Sequence, residues 1–223
     1  DSRKVFLNRS LSGLYSPGSI VKPFVGYGAL VENVISPNKT ILSNGKIEVP
    51  NPYFPDKKTV FNDHGVFGYV NMAKAIAVSS DVYFYEIGGG FQDQKGMGIL
   101  NIDKYTKNFG ISQKTGIDLF GEKEGVIPTP EWKALKFKGD AWRLGDTYNT
   151  AIGQYGFQVT PIQMVRAVAA IANGGTLLTP HLVMGDKVRE SQKTSLPINQ
   201  DAMKVVKEGM RMAVTDGTAT ALN

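Results

Sequence analysis

A serine and a lysine three residues apart, Ser19 and Lys22, have the clearest capacity for nucleophilic catalysis in this sequence. On a helix, side chains three positions apart lie on one face, so a hydroxyl and an amine at this spacing can meet. A serine hydroxyl is a weak nucleophile until a neighbouring base takes its proton. Lysine can be that base only where burial or a nearby cation lowers its pKa. The pair therefore indicates a serine nucleophile served by a lysine base.

The same Ser-x-x-Lys spacing occurs again at Ser36 and at Ser43, but both lie in sequence rich in Pro, Asn and Gly. Only Ser19 opens a segment with helical apolar spacing, directly after a Pro-Gly pair. Taken alone, this motif also fits a helix-capping serine followed by a solvated lysine.

A second polar cluster, Ser79-Ser80-Asp81, interrupts the apolar segment 75–85. Burying these side chains without partners would cost about 1–3 kcal/mol each, so a polar group must face them. Lys22 would satisfy Asp81. The alternative is that a helix begins here with Ser79 as its N-cap. The local pattern leaves both interpretations open.

Composition excludes several classes of protein. The 223 residues are 42% hydrophobic and 20% charged, which excludes general disorder, and no apolar run approaches a membrane span. The absence of cysteine excludes disulfides, thiolate nucleophiles and iron–sulfur clusters. With only His64 and His181, a histidine-rich metal site is not expected, and we predict neither metal nor cofactor. A net charge of +5 is weak evidence for nucleic-acid binding.

The predicted elements are mostly helices, with few strands and no internal repeat. Segment 36–65 is expected to be a surface excursion with at most one short strand, and a strand is expected near 177–188. Chain 1–223 is interpreted as a single domain, and its start at Asp1 without methionine suggests an excised piece. Helices are predicted over 19–34, 70–86, 97–109, 161–173 and 200–214.

Several motifs in order along the chain resemble the transpeptidase domain of class B penicillin-binding proteins. The Ser-x-Asp form of the second cluster resembles the cell-elongation type. The matching motifs are Asn8-Arg9-Ser10-Leu11-Ser12-Gly13, Tyr15 to Pro23, Ser79-Ser80-Asp81, Gly116-Ile117-Asp118-Leu119, Gly145-Asp146, Ile152-Gly153-Gln154 and Val159 to Met164.

This resemblance implies a fold and a set of roles. The fold would be α+β, the helix-rich, serine β-lactamase-like fold of penicillin-binding transpeptidases. Ser19 would be the nucleophile, with its backbone N–H as half of the oxyanion hole, and Lys22 its base. Ser79 would relay a proton to the leaving amine, and Asp81 would hold Lys22. The positions expected to bind substrate are Ser80, Gly153 and Gln154.

The resemblance also implies a function and partners. The protein would crosslink peptidoglycan stem peptides that end in D-Ala-D-Ala, and β-lactams would acylate it. It would work at the periplasmic face of the bacterial inner membrane, with a membrane glycan polymerase and rod-shape scaffold proteins.

One family motif has no clear counterpart. The family carries Lys-Thr-Gly or Lys-Ser-Gly on a strand beside the nucleophile. Lys114-Thr115-Gly116 has these letters but leads into the family's middle region, and Thr215 to Ala219 lacks the required cation. We therefore expect the chain to stop before this motif, without the C-terminal part of the antiparallel sheet.

Three other functions compete with the transpeptidase. A β-lactamase of the Glu-dependent class needs Glu-x-x-x-Asn, and no glutamate here has Asn four residues later. A β-lactam-sensing relative or a catalytically silent cell-wall scaffold is a second alternative, although a scaffold has no need of the Ser, Lys and Asp set. Nucleic-acid binding through the basic, aromatic segment 132–143 is a third, but a solvated basic loop with buried aromatics explains that segment better.

Overall fold

A computed structural model describes residues 7–51, 53–183 and 193–223 of the chain. It confirms a helix-rich fold with short antiparallel sheets, in which β1 pairs with β4, β2 with β3, and β5 with β6. The helices are α1 (Arg9–Ser12), α2 (Lys22–Val31), α3 (Met72–Ala77), α4 (Asp81–Gly89), α5 (Gly98–Asn108), α6 (Pro130–Lys136), α7 (Leu144–Ala151), α8 (Pro161–Ala172) and α9 (Gln200–Asp216), with 3₁₀ turns at Gly18–Val21 and Thr220–Leu222. The strands are β1 (Ile41–Ser43), β2 (Lys46–Asn51), β3 (Phe54–Asn62), β4 (Gly68–Val70), β5 (Thr176–Leu178) and β6 (Lys193–Ser195).

Helix α2 is the centre of the fold. Every residue from Lys22 to Leu30 is buried, and a helix that is buried on all sides belongs in the core. Pro23 is tolerated because it lies in the first turn, where its missing N–H costs least. A continuous cluster of buried hydrophobic side chains joins α2 to α3, α4, α5, α7, α8 and α9. The central position of α2 is what buries Lys22.

The excursion predicted over 36–65 is wrong, because this segment forms three strands. In the hairpin of β2 and β3, Ile47 pairs with Phe61 and Val49 with Thr59. The lysines that suggested a loop flank Glu48, which accepts hydrogen bonds from Lys46 at 2.6 Å and Lys58 at 3.1 Å. Cross-strand pairs stabilise a hairpin, and they cannot be seen in the local composition.

The single helix predicted over 70–86 is also wrong, because α3 ends at Ala77 and α4 begins at Asp81. Ser79 adopts a left-handed φ of +58°, which breaks the helix. The hydroxyl of Ser80 caps α4 by accepting a hydrogen bond from the Tyr83 N–H at 3.2 Å. A helix does start here, but its cap is Ser80 and not Ser79; the other local interpretation also holds, because Lys22 contacts Asp81.

Helices α5, α8 and α9 lie where the apolar spacing predicted them. Of the strand predicted near 177–188, the described residues show only β5, which ends at Leu178. Positions 184–188 lie outside the described residues. Across the described ranges, no helix combines the length and the apolar character that crossing a bilayer requires.

Candidate active site

Ser19 lies on a tight turn at the N-terminal end of α2. The turn begins at Gly18, whose φ of +57° is left-handed, and continues as one turn of 3₁₀ helix. The side chain of Ser19 is exposed, and its carbonyl accepts a hydrogen bond from the Lys22 N–H. The sequence-predicted nucleophile is therefore presented to solvent at the tip of a buried helix.

Lys22 is buried, with 1% of its surface exposed, and it faces the break between α3 and α4. Its ammonium donates hydrogen bonds to the carbonyl oxygen of Ser79 at 2.5 Å, to Ser79 Oγ at 3.1 Å and to Asp81 Oδ1 at 2.6 Å. An ammonium group has three protons, and these bonds use all of them. The structure thus brings Lys22, Ser79 and Asp81 together, as the sequence predicted for Lys22 and Asp81.

Two opposing influences act on the pKa of Lys22. Burial lowers it, while the charge and hydrogen bond of Asp81 and the charge of Asp63 raise it. Burial is the larger influence, so the pKa lies below the ordinary value of a lysine. A lysine that must accept a proton near neutral pH needs a shift in this direction.

The direct contact predicted between Ser19 and Lys22 is not made. Within the described part of the chain, the Ser19 hydroxyl has no hydrogen bond to the Lys22 ammonium, and the two residues are linked through the backbone of the turn. The arrangement is that of a protonated Lys22 held by Ser79 and Asp81. A neutral Lys22 would have a free lone pair for the Ser19 proton.

Asp63 supports this centre from behind, and sequence reasoning missed it. Its Oδ2 accepts hydrogen bonds from Ser43 Oγ at 3.1 Å, Ser80 Oγ at 2.8 Å and the Val82 N–H at 2.9 Å. Burial alone would raise the pKa of Asp63, but bonds from backbone N–H groups and from Ser80 outweigh it and lower the pKa. Asp63 therefore remains charged and fixes the first turn of α4, which carries Asp81.

The three positions expected to bind substrate have different surroundings. Ser80 is fully buried, and its hydroxyl contacts Asp63 and Ser43, so it faces the interior. Gly153 is buried against Gly18, whose N–H donates to the Gly153 carbonyl at 3.1 Å. Gln154 is exposed, and its amide nitrogen would lie 3.7 Å from a Cβ placed on Gly18. Only Gln154 presents its side chain to solvent beside the turn of Ser19.

His64 completes the group behind the lysine. Its Nδ1 lies 2.9 Å from Asp63 Oδ1 and 3.8 Å from Asp81 Oδ2, and its Nε2 lies 3.1 Å from the Val78 carbonyl. Ligand-type atoms of Asp63, His64 and Asp81 all lie within 4.8 Å of one another. Hydrogen bonds and the ion pair with Lys22 already satisfy the oxygens at their centre, and the expectation of a metal-free site stays a prediction.

Thr115 of the Lys-Thr-Gly triplet lies outside any strand, and its hydroxyl and N–H both donate to Glu122 at 2.6 Å. This agrees with our exclusion of the triplet as the family motif.

The expectation of a solvated basic loop over 132–143 is wrong for Lys133, whereas Arg143 is exposed as expected. Lys133 is buried and contacts Asp146 at 2.6 Å and Asp140 at 3.1 Å. Arg143 donates to both oxygens of Asp140, at 2.8 and 2.7 Å. These two charges are paired within the protein, which leaves less free positive charge for an anionic partner.

Comparison with known proteins agrees with this geometry. The family model described as "Penicillin binding protein transpeptidase domain" matches residues 1–223. A peptidoglycan D,D-transpeptidase MrdA from Haemophilus influenzae is 38% identical over 186 residues, which cover 82% of this chain and 27% of that protein. The chain spans less than a third of the length of the curated relatives it matches first.

Solved structures share the fold. A penicillin-binding protein (PBP2) from Helicobacter pylori, in a complex with MreC, has a TM-score of 0.79 and 35% identity, covering 96% of this chain and 37% of that one. A chain from a peptidoglycan synthase complex, solved to show the coordination of polymerization and crosslinking, has a TM-score of 0.82 and 27% identity. It covers 100% of this chain and 36% of that one.

Proposed function

Because the chain belongs to the penicillin-binding protein transpeptidase family, we propose that it is the catalytic part of a peptidoglycan D,D-transpeptidase of the cell-elongation type. The observation that supports this most directly is the buried Lys22, held by Ser79 and Asp81 behind the exposed turn of Ser19. A catalytically silent scaffold has no need of a desolvated lysine at this place, where burial costs free energy.

The proposed reaction begins when Lys22, in its neutral form, accepts the proton of the Ser19 hydroxyl. The Ser19 oxygen then attacks the carbonyl carbon between the two D-alanines of a stem peptide. The C–N bond breaks as Ser79 passes its proton to the leaving amine and regains one from Lys22, and terminal D-alanine departs with the former peptide nitrogen. The product is an ester on Ser19, which the amine of a second stem peptide converts into the crosslink.

The electrostatics of the turn fit this sequence of steps. Negative charge develops on the carbonyl oxygen during attack, and the Ser19 N–H is the donor that we assign to it. Asp81 keeps the Lys22 amine directed towards Ser79, and Gln154 is positioned to contact the substrate chain beside Gly18.

Partners and location follow from the relatives. The Helicobacter pylori relative forms a complex with MreC, and another relative belongs to a synthase complex that coordinates polymerization and crosslinking. We extend to this protein a rod-shape scaffold partner, a membrane glycan polymerase, sensitivity to β-lactams and a place at the periplasmic face of the inner membrane.

The decisive experiment is intact-mass spectrometry of the full-length protein after incubation with benzylpenicillin. We expect a single adduct, which peptide mapping places on Ser19. The labelling rate of Ser19→Ala should be lower by a factor on the order of 10⁶, which is the typical effect of removing a serine nucleophile. Ser36→Ala is the matched control, because Ser36 is exposed and has the same spacing to Lys39.

Each alternative predicts a different outcome. A silent scaffold would gain no adduct at any serine. A β-lactamase would release hydrolysed penicillin rapidly instead of retaining the ester. Labelling of Ser36 or undiminished labelling of Ser19→Ala would contradict the assignment of the nucleophile.

A further inference from the structure

We propose that Gly153, at the C-terminal end of α7, is a positioning residue that sets the orientation of the peptide group between Gly18 and Ser19. This rests on the proposed function, in which Ser19 is acylated and its N–H serves as oxyanion donor. It assigns Gly153 a role in shaping the nucleophile turn, which differs from the substrate contact expected from sequence.

The contact between Gly153 and Gly18 is made by backbone alone. The Gly18 N–H donates to the Gly153 carbonyl at 3.1 Å. A Cβ placed on Gly153 would lie 2.3 Å from the Gly18 carbonyl oxygen, 2.7 Å from its nitrogen and 2.8 Å from its carbonyl carbon. No real side chain fits at such distances, so any residue but glycine at 153 must displace Gly18.

Displacing the Gly18 carbonyl moves the Ser19 N–H as well. The carbonyl carbon and oxygen of one residue and the N–H of the next lie in one rigid plane. A shift of the Gly18 carbonyl therefore turns or translates the N–H of Ser19. Removing one oxyanion donor typically lowers the rate of an enzyme by about 10²–10³. Changing the direction of the Ser19 N–H should therefore lower the rate as well.

Gly153 is itself held firmly in place by α7. It is left-handed, with φ of +74°, and ends the helix in a Schellman motif, in which its N–H donates to Thr150 O at 3.0 Å and the Gln154 N–H to Asn149 O at 2.9 Å. At the other end of α7, Asp146 bonds the Arg143 N–H at 2.7 Å and the buried Lys133 at 2.6 Å. The helix is thus anchored at both ends, and its last turn can act as a fixed support for Gly18.

The experiment compares three glycine-to-alanine variants of the full-length protein. Gly153→Ala tests the contact. Gly98→Ala has a similar φ of +77° but nothing within 4 Å of its new Cβ, so it reproduces the backbone strain alone. Gly125→Ala, with φ of +83°, places a Cβ 2.4 Å from the carbonyl oxygen of Gln158, so it reproduces a backbone clash in which the nearest atoms belong to neither Gly18 nor Ser19.

The readout is penicillin acylation, separated into the affinity of the initial complex and the rate constant of the covalent step. We expect Gly153→Ala to lower that rate constant about a hundredfold per folded molecule, with the affinity changed little, because the oxyanion donor acts in the transition state. Gly98→Ala and Gly125→Ala should lower thermal stability without this kinetic change. Equal rate constants in Gly153→Ala and Gly125→Ala would overturn the proposal.

Hydrogen exchange tests the contact in the unmodified protein, so it does not require any variant to fold. In the unmodified protein, the Gly18 amide should be strongly protected, because it is bonded to Gly153. Exchange as fast as in an exposed loop would overturn the proposal. If the unmodified protein forms no adduct on Ser19, the proposed function fails; if it does and Gly153→Ala acylates normally, only the positioning role fails.

Discussion

Lys22 and Lys133 are both buried lysines that contact an aspartate at 2.6 Å, yet their pKa values move in opposite directions. The pKa of Lys22 is lowered, because burial outweighs the attraction of Asp81 and Asp63. Burial acts in the same direction at Lys133, but hydrogen bonds from Lys133 to Asp146 and Asp140 and its interaction with Tyr155 outweigh it and raise the pKa. A single close ion pair does not decide the protonation of a buried lysine.

The two lysines differ in how many carboxylates share the charge. Lys133 contacts two aspartates, Asp146 and Asp140, and both are bonded to its ammonium. Lys22 contacts one aspartate, and its other two acceptors are the neutral carbonyl and hydroxyl of Ser79. The second carboxylate, together with Asp146 and Tyr155, helps to keep Lys133 charged. Its absence at Lys22 leaves a group that can release its proton.

The largest effect is expected when each of these two lysines is replaced by arginine. Lys22→Arg keeps the charge, but a guanidinium cannot lose its proton near neutral pH, so penicillin acylation should fall at least about a thousandfold. Lys133→Arg keeps a cation for both aspartates, and its acylation rate per folded molecule should stay within about threefold. The measurement is the rate of adduct formation, with circular dichroism to confirm folding. Similar losses in both variants would show that Lys22 is also only structural.

A smaller effect is expected when one carboxylate is removed from each centre. Asp146→Ala leaves Lys133 buried with part of its charge unpaired and removes the acceptor of the Arg143 N–H, which should cost about 3 kcal/mol of unfolding free energy. Asp81→Asn should cost about 1 kcal/mol, because the amide oxygen can still bond Lys22, which can also become neutral. Urea unfolding at neutral pH measures both values. An equal cost at the two positions would contradict the comparison.

The sequence predicted Ser19, Lys22 and Asp81 of the candidate site, but it did not predict Asp63. Ser19, Lys22 and Asp81 carry local signals, since their residue types are unusual for the apolar segments that contain them. Asp63 carries no such local signal, because its contacts with Ser80 and Val82 form only when the end of β3 lies against the start of α4.

The fold shows the same limit. Apolar spacing predicted α5 and α8 because the buried face of a helix repeats along the chain. The hairpin of β2 and β3 was missed because Glu48 and its lysines are stabilised across strands. The solvated loop expected at Lys133 is wrong because nothing in the local charge pattern shows that Asp146 contacts this lysine.

The smallest effect, and the most specific, is the dependence of stability on pH. Lys22 and Lys133 share an ordinary pKa of 10.5 in the unfolded chain. Because the folded pKa of Lys22 is lower, the unfolded state binds more protons between the two values, and the contribution of Lys22 to stability rises with pH up to about 10.5. Because the folded pKa of Lys133 is higher, its stabilisation is complete below about 10.5 and is lost as pH rises through the folded value.

Urea unfolding of the unmodified protein, Lys22→Met and Lys133→Met from about pH 8 to about pH 11 separates these contributions. The difference in unfolding free energy between the unmodified protein and Lys22→Met should increase with pH, by at most about 1.4 kcal/mol per pH unit. The difference for Lys133→Met should be level and then decrease at the alkaline end. A decrease with pH in both differences would mean that both lysines are held as cations, and Lys22 could then no longer be regarded as a base.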